Sequence, residues 1–402
     1  MKWMERRRRA SVTRARVRAE AAVFVRAAYR GLLDREPDDA GLKTWVQFLQ
    51  HGGHIDDMVE RIGRSEEFRR RSESLGVLSL PSLSVAAKFE ELIRRPKEER
   101  RLVILGNCQA RQMATAVQAI TTLPRPFAMY AGPELWPEVS SGALDLSALF
   151  HAHDTVWVQS ELWLKIAKRY DEYRSKVMLF PPIRFSGFHP DLVYLVDHDV
   201  PCVIDGPADG YHSSIGLLAW KAGLTPAQAC ELFRDDVFFD KLGFDHWWWF
   251  SWTWLMESGK LCGIDMAPML DSWIRGGCFM HTTNHPKMHV TADVARALLA
   301  RMPDVRLRPG RPEHFAHDHF RSGPIWPIYP GVARRLGLGE GSYDFHLGTS
   351  TFCVDAPVEV IGLSEFLEGS FAGLTRHVRQ TTKLDCLEWP RYKALFDEIR
   401  PR

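Results

Sequence analysis

The chain has 402 residues, 45% of them hydrophobic and 25% charged, with a formal net charge of +2. Such a composition excludes a disordered or fibrous chain and leaves room for one large domain with a smaller one. The charge gives no signature of nucleic-acid binding, and no run reaches the roughly twenty apolar residues of a spanning helix.

Residues 1–19 form a basic segment: the first thirty positions hold ten Lys and Arg against two acids, with Arg6 to Arg9 consecutive. This segment reads as a solvated helix start that can meet an anionic surface. No apolar stretch follows it, so no secretory signal is expected. Seven cysteines with no close pairing pattern fit a reducing compartment, and a cytoplasmic location is expected.

Residues 20–78 read as a small all-α domain. Its helices are separated by "REPDDAG", where Pro37 suits helix entry and Asp38 and Asp39 suit a first turn. Ser65 reads as the cap of a last short helix. Residues 79–100 are expected to be linker and helix, after the Ser/Leu/Pro-rich "LGVLSLPSLSVAA".

Residues 101–402 read as an α/β domain. Leu102 to Leu105 make a short apolar run that suits a buried parallel strand. Met113, Ala116, Val117 and Ile120 then recur at helical spacing, so "GNCQ" is a strand-to-helix turn with Gly106 permitting a tight bend. Further strands are expected at Thr155–Ser160, Lys176–Phe180 and Pro201–Asp205, with helices in "GLLAWKAG" and "TPAQACELFRDD". Alternating strands and helices predict a three-layer sandwich around a mostly parallel sheet. In such sheets the ligand lies beyond the carboxyl ends of the strands, where Cys108 falls.

A thiol at a helix N-terminus faces the positive end of the dipole, which favours thiolate. Cys108 is therefore the candidate nucleophile. Asn107 and Gln109, amides on either side, are candidate hydrogen-bond donors to an oxyanion. A base must reach the nucleophile, and three loops rich in histidine follow. "FPPIRFSGFHPD" offers His189, "DGYHSSIG" offers His212, and "CFMHTTNHPKMH" offers His285 beside Asn284. His285 ranks first as base and His189 second. His212 and Asn284 are candidate substrate contacts. Gly106, Arg111 and Arg184 are candidate cofactor-binding residues, since a strand-turn-helix with nearby arginines can hold a phosphate.

His281, His285 and His289 have the spacing of ligands on one helix face, but Pro286 interrupts a helix and no carboxylate or cysteine completes the set; no metal site is expected. The tryptophans of "HWWWFSWTWL" mix spacings, so some rings must face outward. "IWPIYPGVARRLGL" reads as a turn-rich lid and a short helix.

Two resemblances add names. "YRGLLDREPDDAGLKTWV" with the closing "SEEF" resembles a small bacterial helical domain of unknown function, carried here by Arg30, Leu33, Arg35, Pro37, Asp38, Gly41 and Trp45. "ILGNCQ", "VWVQSE", "IRFSGFHPD", "GYHSSIGLLAWKAGLTPAQA", "FMHTTNHP" and "WPIYP" together resemble the WcbI-type polysaccharide biosynthesis family, from about Arg101 to Gly373. That resemblance implies acetyl transfer from coenzyme A in capsule assembly, with a sugar or glycan precursor as acceptor. The basic start and the helical domain, a docking or spacing module by its resemblance, suggest contact of the N-terminal region with the membrane or with glycan-synthesis machinery. The implied fold is similar to SGNH-type hydrolases, which puts Cys108 in the nucleophile position and His285 in the base position. Thr282 stands where those hydrolases carry aspartate, so the third member of a triad has no candidate. Two alternatives share the residues: a glycan acyl-esterase, and a non-catalytic scaffold of glycan synthesis.

Overall fold

The computed structural model describes residues 21–22, 25–26, 28–29, 35–50, 58, 62, 65, 67, 101–131, 135–197, 202–302, 304–348, 359–378 and 384–400. The chain divides into two compact units, Met1–Arg94 with Glu134–Ala148, and Arg95–Pro133 with Leu149–Arg402. The basic segment and the expected linker of residues 79–100 lie outside the described residues.

In the first unit, helix α1 spans Asp39–Gln50. The Asp38 carboxylate accepts the Gly41 N–H at 2.6 Å, so the "PDDAG" turn caps the helix as its sequence suggests. A Cβ at Gly41 would sit 2.8 Å from the Tyr29 hydroxyl, which explains why the smallest residue stands there. Trp45 donates to the same hydroxyl at 3.2 Å, and Arg35 is paired with Glu67. Val25, Tyr29, Val46, Met58 and Ile62 are buried together.

The second unit is built on a four-stranded parallel sheet: β1 (Leu102–Gly106), β2 (Phe127–Tyr130), β3 (Thr155–Gln159) and β4 (Val177–Phe180), in the order β2-β1-β3-β4. Every residue of β1 is buried, which its unbroken apolar run requires of a strand covered on both faces. Ile104, Trp157, Ala128 and Met178 form one row across the sheet. This row packs in a common core with helices α2 (Gln109–Ile120) and α3 (Met288–Leu299). The architecture is thus α/β, a parallel sheet with flanking helices.

A second core lies further along the chain, joining Ile204, Leu218, Phe238, Trp326, Tyr329 and Phe366 among others. Here two sequence expectations need correction, and one strand went unread. Cys202–Val203 pairs antiparallel with Val196–Asp197 and is no part of the parallel sheet. The turn-rich "IWPIYP" is no lid, because Trp326 and Tyr329 are 2% and 1% exposed and bond the buried Asp191. The strand at Phe127–Tyr130 was not expected. Among the described residues no helix is long and apolar enough to cross a membrane.

Candidate active site

The chain runs from β1 to β2 on one side and then to β3 on the other, so the topology switches at the carboxyl ends of β1 and β3, the place where ligands bind in such sheets. Cys108 sits there, immediately before α2. Asn107 builds the turn. Its Oδ1 accepts the Gln109 N–H at 3.0 Å and its carbonyl accepts the Ala110 N–H at 2.9 Å. Its own N–H donates to Gln159 Oε1, at the end of β3, at 3.1 Å. Gly106 has no positive φ; it is glycine because a Cβ would meet Phe180 at 2.9 Å and Gln159 at 3.1 Å. A side chain would obstruct the turn here, as its sequence suggests, through clearance and not through a left-handed backbone.

Gln109 is not an oxyanion donor. Its Nε2 donates to the carbonyls of Ile183 at 2.7 Å and Asn284 at 2.8 Å, and its Oε1 accepts the Ile183 N–H at 2.9 Å. One turn on, Gln112 donates to the Pro286 carbonyl at 2.7 Å. The two glutamines therefore fasten α2 to the loop carrying His285.

That loop is a short hairpin, β5 (Met280–Thr282) with β6 (His285–Pro286). The His285 ring stacks on Phe320, centroids 4.2 Å apart and 8° from parallel. Its Nε2 lies 3.1 Å from the Tyr211 hydroxyl, which donates to Asn284 Oδ1 at 2.8 Å. With the Tyr211 proton given to Asn284, His285 donates through Nε2 and carries its lone pair on Nδ1. That Nδ1 is buried and has no hydrogen-bond partner among the described residues. Thr282, at the position where a triad aspartate was sought, also donates to Asn284 Oδ1, at 3.0 Å.

Tyr211 was missed in the sequence, and so was Asp318. The Asp318 carboxylate accepts from His281 Nε2 at 3.0 Å and from the Met288 and Phe320 N–H groups at 3.1 Å. Burial works to raise its pKa, and the His281 bond and charge outweigh it to hold the carboxyl below its ordinary range. This pair fixes the segment that presents Phe320 to His285.

Electrostatics correct the expected thiolate. Burial pushes the Cys108 thiol up to about 12, against the lowering influence of Arg184 and the N–H groups of Cys108 and Gln109. The residue keeps partial exposure, yet the surrounding protein withholds much of the hydration a thiolate needs, and that desolvation outweighs the helix dipole. Burial likewise holds His285 down at about 3, with the neighbouring His281 acting in the same sense and Asp318 opposing. Tyr211 is raised well above its ordinary value, first by burial and then by the field of Cys108. At neutral pH the ligand-free site holds a neutral thiol and a neutral imidazole.

Comparison with known proteins supplies the family. Residues 101–303 match the model of the polysaccharide biosynthesis enzyme WcbI, half of the chain. The chain belongs to the WcbI family. Residues 14–72 match the domain of unknown function DUF4214. A solved WcbI structure is similar at 13% identity and a TM-score of 0.47, covering 74% of this chain and 94% of that one. It is described as a novel polysaccharide biosynthesis enzyme, the native protein without a disulfide bond between coenzyme A and a cysteine. No curated protein matches.

The remaining candidates fall outside the reacting centre of this WcbI-family chain or have other work. His212 is 1% exposed, donates to the Ile204 carbonyl at 2.8 Å and packs on Gly206; it braces a turn and does not meet substrate. His189 is 1% exposed, and burial holds it down at about 3, against the opposing influence of the Trp326 backbone. Arg184 binds Glu161 through two bonds of 2.9 and 2.8 Å and lies over Trp254, 5.5 Å from the ring centre. Its charge reaches Cys108, but its fork is already taken. Trp247 stacks on Trp389 and Trp248 packs against Phe185 and Phe188, whereas Trp249 is 66% exposed, as mixed spacings on one helix require.

Proposed function

We propose that this WcbI-family protein moves an acyl group, most simply acetyl, from coenzyme A to a sugar hydroxyl of a capsular or other surface-glycan precursor. It would do so in the cytoplasm on an SGNH-like three-layer scaffold. The observation that carries the reading is the join between Gln109 and Asn284, which locks the residue after Cys108 to the residue before His285 at the open end of the sheet.

Coenzyme A supplies the acyl group already activated as a thioester. The residues present fit it: a thiol at the open end of the sheet, and a buried imidazole nitrogen with no hydrogen-bond partner among the described residues. His285 is the base. Its Nδ1 lone pair accepts the proton of the attacking group, and Nε2 keeps its tautomer through Tyr211. Cys108 stands at that end as a thiol and loses its proton only as the imidazole gains one, since a lone thiolate is disfavoured there. Asn107 Nδ2 and the Cys108 N–H are the donors left for developing negative charge; such a donor is commonly worth about 3 kcal/mol of barrier. The desolvation that shifts both pKa values also keeps water from competing with the sugar hydroxyl.

Intact-mass measurement after brief exposure to acetyl-coenzyme A, with glycan-precursor acylation followed in parallel, tests the reading. Acyl transfer that Cys108→Ala and His285→Gln both abolish is the expected result. Full activity in both variants, or no binding of coenzyme A at millimolar concentration by calorimetry, removes it.

A further inference from the structure

The ends of β3 and β4 carry a group of side chains that the chemistry above leaves unused. Gln159 and Phe180 are paired as the last residues of these neighbouring strands. Glu161 stands two residues beyond the first, and Arg184 four residues beyond the second. Arg184 follows Ile183, whose N–H and carbonyl are both held by the side chain of Gln109, next in sequence to Cys108. The two charged residues therefore stand at the open end of the sheet, beside the candidate site.

A third side chain comes from the helix Asp245–Leu261. Its Ser251 Oγ accepts the Ser186 N–H at 2.9 Å, and its Trp248 meets Phe185 and Phe188 edge to face. The helix is thus docked on the segment after β4. Nearly one turn past Ser251, the half-buried Trp254 lies under the Arg184 guanidinium, 5.5 Å from ring centre to Cζ. Arg184 in turn meets Glu161 through two bonds of 2.9 and 2.8 Å, with 47% of the arginine side chain and 39% of the glutamate exposed.

Stability does not account for this arrangement, because a solvated ion pair contributes little to it. What the pair does is hold two polar groups side by side in a fixed geometry. Among the described residues the guanidinium keeps three of its five N–H donors, and both carboxylate oxygens keep lone pairs. Adjacent donors and acceptors match the neighbouring hydroxyls of a sugar, each of which gives and takes a hydrogen bond. The two charges offset one another, so a phosphate or a carboxylate gains little net attraction here. The indole adds an apolar body with a polar edge, suited to the C–H face of a pyranose.

We propose that Glu161, Arg184 and Trp254 form the subsite that holds a neutral sugar ring of the acceptor, its hydroxyls bonded by the ion pair and its C–H face on the indole. The part of this subsite in acyl transfer rests on the proposed function, whereas sugar recognition rests on the three side chains themselves.

Saturation-transfer NMR of the full chain with methyl glucoside, methyl galactoside and methyl N-acetylglucosaminide tests the subsite, with methyl glucuronide as the charged comparison. At least one neutral glycoside is expected to bind, and more tightly than the glucuronide. Glu161→Gln is expected to weaken that binding about tenfold, the loss of a charge-assisted hydrogen bond, and Trp254→Ala to remove it. Glu161 is partly exposed, so its variant keeps the fold and carries the test even where Trp254→Ala unfolds. No binding of any neutral glycoside, tighter binding of the glucuronide, or undiminished binding in either folded variant overturns the subsite. Acyl transfer with an unchanged acceptor KM in both variants also overturns it and leaves the transfer reading intact. Glycoside binding that depends on both residues, in a protein without affinity for coenzyme A, upholds the subsite and removes the transfer reading.

Discussion

Gln109 Nε2 donates at 2.8 Å to the carbonyl of Asn284, joining the residue after Cys108 to the residue before His285. The same amide makes two further bonds to the Ile183 backbone, and its residue is 2% exposed. Gln109→Leu keeps the volume and removes all three bonds, leaving two carbonyls and an N–H buried without partners. Such groups cost about 1–3 kcal/mol each when orphaned, and local relaxation recovers part of that. The expected loss is about 3 kcal/mol, read from the urea midpoint. An unchanged midpoint would show that the join carries no strain-free bond energy and that the loops find each other without it.

Tyr211→Phe removes one hydroxyl and nothing else. The ring keeps its edge contacts with Tyr194 and His285. What changes is the tautomer: without Tyr211 as acceptor, His285 Nε2–H has lost its partner, and either ring nitrogen can hold the proton. The expectation is a fall in kcat of about ten- to a hundredfold, below the full contribution of a base, with KM little altered. A rise in KM at constant kcat would instead mark Tyr211 as a binding group.

Cys108 should be a slow thiol in the ligand-free protein. With its pKa pushed up to about 12, hardly any thiolate exists at pH 7, whatever the exposure of the sulfur. Alkylation by iodoacetamide, followed by peptide mass, is expected to lag far behind a free thiol at pH 7 and to accelerate above pH 9. A rapid burst of labelling on Cys108 at pH 7 would restore the dipole-activated thiolate that its place before α2 suggests.

The strand, the turn and the helix around Cys108 were legible because each is specified by neighbours in sequence. An apolar run of four ends at Gly106, and apolar positions then return at helical spacing. The His285 loop was legible for the same reason. What joins the two was not. Gln109 reaches partners 74 and 175 positions away, Tyr211 reaches His285 across 74, and Asp318 reaches His281 across 37. Nothing local distinguishes Gln109 as a fastener from Gln109 as an oxyanion donor; only the three bonds it makes decide. Phe127–Tyr130 escaped notice because the strand is four residues long and follows two prolines, and Cys202–Val203 was misplaced because a short apolar run does not reveal whether its partner is parallel or antiparallel.

Buried neutral histidines set the acid limit of stability. His189 and His285 are both held at about 3, against an ordinary 6.5. The unfolded chain protonates them through pH 6.5 and the folded chain only near 3, so their contribution is fully present above 6.5 and is lost as pH falls. Asp191 works in the opposite sense. Burial raises it to about 6 from 3.8, so its contribution is present below 3.8 and is lost as pH rises through 6. His212, His289 and His319 are lowered in the same sense, so the imidazoles outweigh the one carboxyl and stability falls between pH 7 and 5. Urea midpoints across that range should fall with decreasing pH, and His189→Asn should flatten the slope. A midpoint that is level from pH 7 to 5 would refute the assignment of these rings as neutral and buried.

Gly106→Ala probes how closely the turn before Cys108 is packed. The added methyl meets the Phe180 ring at 2.9 Å and the Gln159 Cβ at 3.1 Å. Phe180 is fully buried at the end of β4 and has little room to turn, so the displacement falls chiefly on Gln159. Gln159 Oε1 holds the Asn107 N–H, and moving it loosens the turn that presents Cys108. Overpacking of this kind costs about 1–3 kcal/mol of stability, well within what a domain of this size tolerates. Activity should suffer more than stability, because a shift of about 1 Å at the sulfur spoils its alignment with His285 while the sheet stays paired. Thermal denaturation and turnover measured on the same preparation separate the two effects. A variant that loses stability but keeps full turnover would mean that the turn tolerates displacement and that the position of Cys108 is set elsewhere.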